Sequence, residues 1–251
     1  MHLKYTFISA IIFLCVNITA FGQLPPNIDF EYGGLTNWIC YTGTCCVTGG
    51  MVLHVSAFPI NGRHNIMNGS DTDYYGGFHV VPAGGGIYSC RLGYDTAMER
   101  AEKVRYYVHI PSGSTSYGLA YHYAVVLENP THIASQQPRF QIGAFDSSNG
   151  SSVPCAPISF IAGSSPGFIS SAVPSRLSGN GTDVIYKPWT SGFLELSGLG
   201  GHTICIDFAA SGCEPAAHFG YAYVDMSGGL YTTEINVPYQ YSGQADTDSG
   251  C

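Results

Sequence analysis

Short runs rich in β-branched and aromatic residues recur along this chain, each closed by a cluster of Gly, Pro, Asn or Ser, and almost nothing carries the period of a helix. The runs are residues 51–57, 87–92, 103–109, 118–128, 139–144, 159–161, 184–190, 193–196, 202–208 and 220–226. Several alternate with period two. In 202–208, Ile204, Ile206 and Phe208 share one face, as a strand with one buried side requires. In 120–127 the second half turns uniformly apolar, which predicts a central strand. The one stretch with near-helical spacing, 96–104, places Met98, Ala101 and Val104 together. Ten short strands predict an all-β fold, a two-sheet, jelly-roll-like β-sandwich. Glycines at 84–86 and the 112–116 segment mark turns, and 163–181, rich in Ser, Gly and Pro, is the expected mobile loop.

The two ends read differently from the middle. Lys4, the apolar run 7–16 and Ala20-Phe21-Gly22 form a secretory signal peptide over residues 1–22. The sandwich domain is expected over 23–241, and 242–251 is a polar tail or linker. The apolar run is too short and interrupted to span a bilayer, so no membrane insertion is expected after signal removal. Of the 9 Lys and Arg and 17 Asp and Glu, removal of the signal takes only Lys4. The remaining acidic excess, with no basic run, argues against nucleic acid as a partner. Charged residues are 10% of the chain, against ~25% in an average soluble domain, while 45% are apolar. That is an extracellular β-protein composition and not disorder.

Nine cysteines, one of them (Cys15) in the signal, leave eight in the exported chain, an even number that predicts disulfides. Cys40, Cys45 and Cys46 crowd one loop. Neighbouring cysteines seldom pair with each other, so at least one of Cys45 and Cys46 is expected to reach elsewhere. Cys155 and Cys213 are the first candidates for a long-range bridge. Cys90 and Cys205 lie in strand patterns and fit as small buried hydrophobes.

No motif carries strong catalytic chemistry. Gly163-Ser164-Ser165-Pro166-Gly167 matches G-x-S-x-G, but Pro166 removes a backbone N–H behind the serine and no helix follows, so the elbow is not expected. No histidine pair has H-E-x-x-H spacing and no Cys-x-x-Cys or Cys-x-x-His pair occurs. His122, His132 and His218 could still converge in space. Glu31, Glu128, Asp146 and Asp225 are carboxylates from which a glycosidase pair could be drawn, with nothing in the spacing to select one. A structural calcium ion is the better-supported cofactor. Asp29 and Glu31 open the domain, Asp225 lies near its end, and Asp71 and Asp73 add two loop carboxylates of the hard-oxygen kind that Ca2+ prefers. If 29–31 is a strand, alternation puts Asp29 and Glu31 on one side and Phe30 inward. Tyr74 and Tyr75, beside glycines and acids, are the expected exposed aromatics of a binding surface. His122 and His218 complete the candidate binding residues.

Several segments resemble a known domain: Asn27-Ile28-Asp29-Phe30-Glu31 with Trp38, Tyr75-Gly76-Gly77-Phe78 with Val81-Pro82, Tyr123 to Glu128, Gln137-Pro138-Arg139-Phe140, and His218 to Asp225. The likeness is to the N-terminal β-sandwich domain of large secreted or surface proteins of Bacteroidetes, in which PKD-type repeats and a gliding-motility-associated or type IX secretion sorting domain follow. The resemblance implies a cell-surface adhesion role. This chain shows neither the repeats nor the sorting domain, which is expected of a fragment, a truncated product or a stand-alone relative. The expectation is therefore a secreted, non-catalytic binding module whose partner is an extracellular glycan or a surface protein. A structural spacer and a glycoside hydrolase-like enzyme are the alternatives.

Overall fold

The computed structural model describes residues 24–47, 50–154, 156–177, 183–213 and 217–228. The signal peptide, the polar tail and Cys155 lie outside them. Twelve strands run in chain order: β1 (Ile39–Val47), β2 (Gly50–Val55), β3 (His64–Asn68), β4 (Tyr88–Leu92), β5 (Ala101–His109), β6 (Gly118–Glu128), β7 (Arg139–Asp146), β8 (Ile158–Ile161), β9 (Ile169–Ser170), β10 (Val184–Glu195), β11 (Thr203–Ser211) and β12 (Gly220–Gly228). They form two six-stranded sheets. The first has the order β2-β1-β5-β11-β7-β8 and the second β3-β4-β12-β6-β10-β9. The strand pairs described are antiparallel. The chain alternates between the sheets in the jelly-roll manner, so the expected sandwich is the fold.

The central core lies between the sheets. Val104, Tyr106 and Val108 of β5, Ile204, Ile206 and Phe208 of β11, and Tyr121, Tyr123, Val125 and Leu127 of β6 meet there. Phe30 stacks on Trp38 at 4.6 Å between ring centroids and closes one end. At ~25 cal/mol per Å2 of apolar surface, such side chains each contribute about 1.5–3 kcal/mol.

Three strands were not legible in the residue pattern: β1, β3 and β9. β1 reads as a cysteine-crowded loop, yet pairs with β5 from Ile39 to Gly43. The runs 184–190 and 193–196 are one strand, interrupted between Lys187 and Thr190 by a register shift against β6. The loop 163–181 is tied down in part, because β9 pairs with β10 and the Ser171 hydroxyl donates to the Tyr75 carbonyl at 2.7 Å.

The cysteine expectation needs correcting. Cys45 and Cys46 are bonded to each other. The backbone accommodates the ring at an irregularity between Thr44 and Val47, where Cys46 takes φ of +69°. Cys40, Cys90, Cys205 and Cys213 are buried free thiols. Cys90 and Cys205 are buried as expected; Cys213 carries no bridge among the described residues, and its expected partner Cys155 lies outside them.

Candidate functional site

The outward-facing sides of the two sheets differ, and the difference follows from one long connection. Residues 69–87, between β3 and β4, fold back over the second sheet as a strap. Tyr75, Val80 and Val81 of the strap bury Ala124 and Val126 of β6 and Tyr221 and Tyr223 of β12 in a second apolar cluster. This is why β6 is apolar on both faces. Asp73 fastens the strap. Its Oδ1 accepts the N–H groups of Tyr75 (3.0 Å) and Gly76 (2.7 Å), and its Oδ2 accepts the hydroxyls of Tyr221 (2.7 Å) and Tyr223 (3.0 Å). The Trp189 indole N–H donates to the His79 carbonyl at 2.7 Å.

At the other end of the strap lie three acids whose charges act on one another. Glu31 Oε1 accepts the N–H groups of Ile87 and Tyr88, both at 2.9 Å. Asp29 Oδ1 accepts the Glu31 N–H at 3.3 Å. Asp225 is fully buried, its Oδ1 accepts the Met226 N–H at 2.8 Å, and its Oδ2 has no hydrogen-bond partner. Burial first, and then the charges of Glu31 and Asp29, push the Asp225 carboxyl up to about 8. A side chain at Gly85 would collide with Asp225 Oδ2, and one at Gly86 with Glu31. Gly86 also takes φ of +87°, which favours glycine, and the strap backbone there lies against Glu31. Residues 29–31 form a turn and not a strand, with Phe30 at φ +61°. Phe30 still points inward, through turn geometry.

Asp29 and Glu31 thus lie near enough to Asp225 for their charges to act on it, and the other two expected metal ligands serve the strap itself. Both oxygens of Asp73 are occupied by four internal donors, which leaves it a structural role. Asp71 is exposed and contributes its backbone to the strap, through its N–H to Asn68 and its carbonyl to Val80.

The expected binding residues also divide. Tyr75 is buried against Phe219 at 5.2 Å between centroids, so it is a core residue of the strap and not a ligand platform. Tyr74 is 49% exposed, with the Arg176 guanidinium 3.5 Å above its ring. His122 has both ring nitrogens occupied, by Ser191 at 2.8 Å and Ser227 at 3.0 Å, and burial lowers its pKa. It does not meet His132 and His218, which do meet each other.

The outward face of the first sheet carries a constellation that the residue pattern did not single out. Alternation in β5 sends Lys103, Arg105 and Tyr107 outward while Val104, Tyr106 and Val108 enter the core. Across the sheet they meet Tyr41 of β1, Asp207 of β11 and Phe145 of β7 through the registers Tyr41↔Lys103, Arg105↔Asp207 and Cys205↔Phe145. Arg105 grips Asp207 with two bonds of 2.6 Å, and Lys103 adds a third at 3.0 Å. Lys103 lies 4.0 Å from the centroid of Tyr41, and Arg105 stands near the rings of Tyr41, Tyr107 and Phe145. None of these three aromatics belongs to either apolar cluster, and Tyr107 is 43% exposed. Two cations share one carboxylate between flat rings, and the three charged side chains are themselves largely buried, Lys103 and Asp207 12% and Arg105 21% exposed. The detectable signal was the alternation of charged and apolar residues in Lys103-Val104-Arg105-Tyr106.

The hydrolase candidates do not assemble into a catalytic group. Asp146 accepts from the Ser148 hydroxyl and N–H and pairs with His202, and these bonds hold its carboxyl down at about 2. Glu128 is buried, accepting the Phe219 N–H at 2.8 Å. Asp225, near Glu31, is sealed beneath the strap. Ser165 of the G-x-S-x-G match accepts the Ile161 N–H in a turn. Among the described residues, no helix is long and apolar enough to cross a membrane.

No family model matches the chain, and no curated protein matches it. Among solved structures, the carbohydrate-binding module TmCBM61 in complex with β-1,4-galactotriose is 9% identical at a TM-score of 0.39, with 81% of this chain and 97% of that one covered. The family 11 carbohydrate-binding module from Clostridium thermocellum, in complex with a β-1,3-1,4-mixed-linked tetrasaccharide, is 13% identical at 0.29, covering 81% and 95%. The enzymatically active domain of tailspike protein 4 of bacteriophage CBA120 is 13% identical at 0.34, covering 82% of this chain and 21% of that one.

Proposed function

We propose that this chain is a non-catalytic, extracellular glycan-binding module that holds its ligand on the outward face of the first sheet. The setting in a secreted bacterial surface protein, taken from the sequence resemblance, belongs to the same proposal. The observation that carries it is the grouping of Tyr41, Tyr107 and Phe145 around the Arg105–Asp207–Lys103 ion cluster on a rigid sheet. A pyranose presents apolar C–H faces and a rim of hydroxyls. Flat phenol and phenyl rings suit the faces. A charged pair suits the rim. Strands position such groups more rigidly than loops do, which lowers the ordering cost of binding.

A structural calcium ion at Asp29, Glu31 and Asp225 is part of this reading. Its support is the buried, unpartnered Asp225 Oδ2, on which the charges of Glu31 and Asp29 act. In this role the ion clasps the strap and takes no part in sugar recognition.

The test is binding to a panel of polysaccharides by affinity electrophoresis, followed by calorimetry with oligosaccharides of the best one. Tyr107→Ala is expected to weaken binding about tenfold, ~1.4 kcal/mol, with stability changed by no more than about 0.5 kcal/mol. Unaltered affinity in Tyr107→Ala and Tyr41→Ala together would remove this face as the site.

A further inference from the structure

A second cluster lies away from both the glycan face and the acidic clasp. His132 comes from the connection after β6, while Cys213 and His218 flank the connection between β11 and β12. His132 Nε2 lies 3.2 Å from His218 Nδ1, and Cys213 Sγ lies 3.3 Å from the same nitrogen. All three ligand atoms fall within 4.8 Å of one another.

The surroundings hold this geometry. The Gln137 side-chain amide donates to the carbonyls of Pro130 (2.7 Å) and His132 (3.0 Å), which fixes the His132 loop. The Cys213 N–H donates to the His218 carbonyl at 3.1 Å, and the His218 N–H points at Cys213 Sγ at 3.3 Å. The Cys45–Cys46 disulfide packs on both segments, with Cys46 Sγ 3.7 Å from the Gln137 carbonyl oxygen and 3.8 Å from that of Gly212. Cys213 is buried, and the two imidazoles are half-buried, which leaves a path from solvent.

Hydrogen bonding alone serves this arrangement poorly. His218 Nδ1 has one in-plane position, either a lone pair or a proton, and two neighbours converge on it. A metal ion satisfies three electron pairs at once. Tetrahedral zinc, with bonds of about 2.0–2.1 Å to nitrogen and 2.3 Å to sulfur, places its ligand atoms roughly 3.3 Å (N to N) and 3.6 Å (S to N) apart. The two separations at His218 Nδ1, 3.2 and 3.3 Å, differ from these by a few tenths of an ångström, and the third, between His132 and Cys213, lies within 4.8 Å.

We propose that His132, Cys213 and His218 form a binding site for a soft divalent transition-metal ion, zinc, with three protein ligands and a fourth position for water. Binding converts the Cys213 thiol to a thiolate, and its proton leaves to solvent. The ion cross-links the β6–β7 and β11–β12 connections at one end of the sandwich, a position independent of the glycan face.

The experiment uses the full exported chain and cobalt(II) as a visible stand-in for zinc. Cobalt is expected to bind one per chain with an intense thiolate-to-metal absorption band, which zinc displaces. Cys213→Ser abolishes the band, and His132→Ala and His218→Ala each weaken zinc binding at least tenfold. Because a variant could misfold, a second measurement uses the unaltered chain, in which zinc slows alkylation of Cys213 at least tenfold and a chelator reverses this. Absence of the thiolate band, alkylation of Cys213 at the same rate with and without zinc, or Cys213 found in a disulfide by peptide mapping would each overturn the site.

Discussion

The two outward-facing sheet surfaces are built from the same alternating strand pattern, yet one is covered by a strap and the other by its own long side chains. On the second sheet Tyr221, Tyr223 and Asp225 occupy alternate positions of β12, and on the first Lys103, Arg105 and Tyr107 do the same on β5. The β12 row is buried because residues 69–87 cross above it, with Asp73 satisfying both tyrosine hydroxyls. The β5 row keeps its polar and aromatic groups outside both apolar clusters. Aromatic residues on a sheet are therefore not in themselves a binding platform. A covering loop turns them into core, and the sealed face works as a scaffold that leaves recognition to its opposite.

The largest effect is expected where the seal is fastened. Asp73→Ala removes the acceptor for four donors, leaving the buried Tyr221 hydroxyl without its acceptor and Tyr223 with Arg91 alone, a loss of about 4 kcal/mol on the scale of broken buried networks. Denaturant unfolding measures it, and a loss below about 1 kcal/mol would mean that the strap is held by packing alone.

The second effect concerns the clasp. The folded pKa of Asp225, about 8, lies above the ~4 of an unfolded carboxyl. The native chain therefore binds the extra proton between those values. Without a cation, the contribution of Asp225 to stability is fully present below pH ~4 and is lost as pH rises toward 8. Calcium at a hundredfold excess over its Kd reverses the loss at pH 8 by about 2.7 kcal/mol. Asp225→Asn removes both the pH slope and the calcium response. Thermal unfolding with calcium and with chelator reads both, and equal curves in the unaltered chain would exclude the clasp.

The smallest effect sharpens the contrast between exposed tyrosines. Tyr74→Ala loses the contact with Arg176, worth about 0.5 kcal/mol at an exposed site, and leaves glycan affinity unchanged in the calorimetry that Tyr107→Ala disturbs. Equal losses in the two variants would mean that the strap, and not the first sheet, meets the ligand.

What the sequence settled by itself was the fold class and the inner face of most strands. Period-two alternation in β11 and the doubly apolar run of β6 depend only on the local pleat, so Ile204, Ile206 and Phe208 could be placed in the core without any long-range information. β1 and β3 escaped because Thr, Gly, Asn and Cys dilute the pattern there, and pairing with β5 and β4 supplies what propensity lacks. The nearness of Asp29 and Glu31 to Asp225 was legible as an expected approach of the domain's two ends. The separation of Asp71 from Asp73, and of Tyr74 from Tyr75, was not. Neighbours in sequence look alike until the strap's path decides which is buried. The meeting of His132 and His218, 86 positions apart, was among the expected convergences, whereas the place of Cys213 beside them was not legible. Local sterics fix which way a side chain leaves its strand, but whether it then meets water, a loop or a distant histidine depends on contacts between segments far apart in the chain, and only the folded molecule sets those.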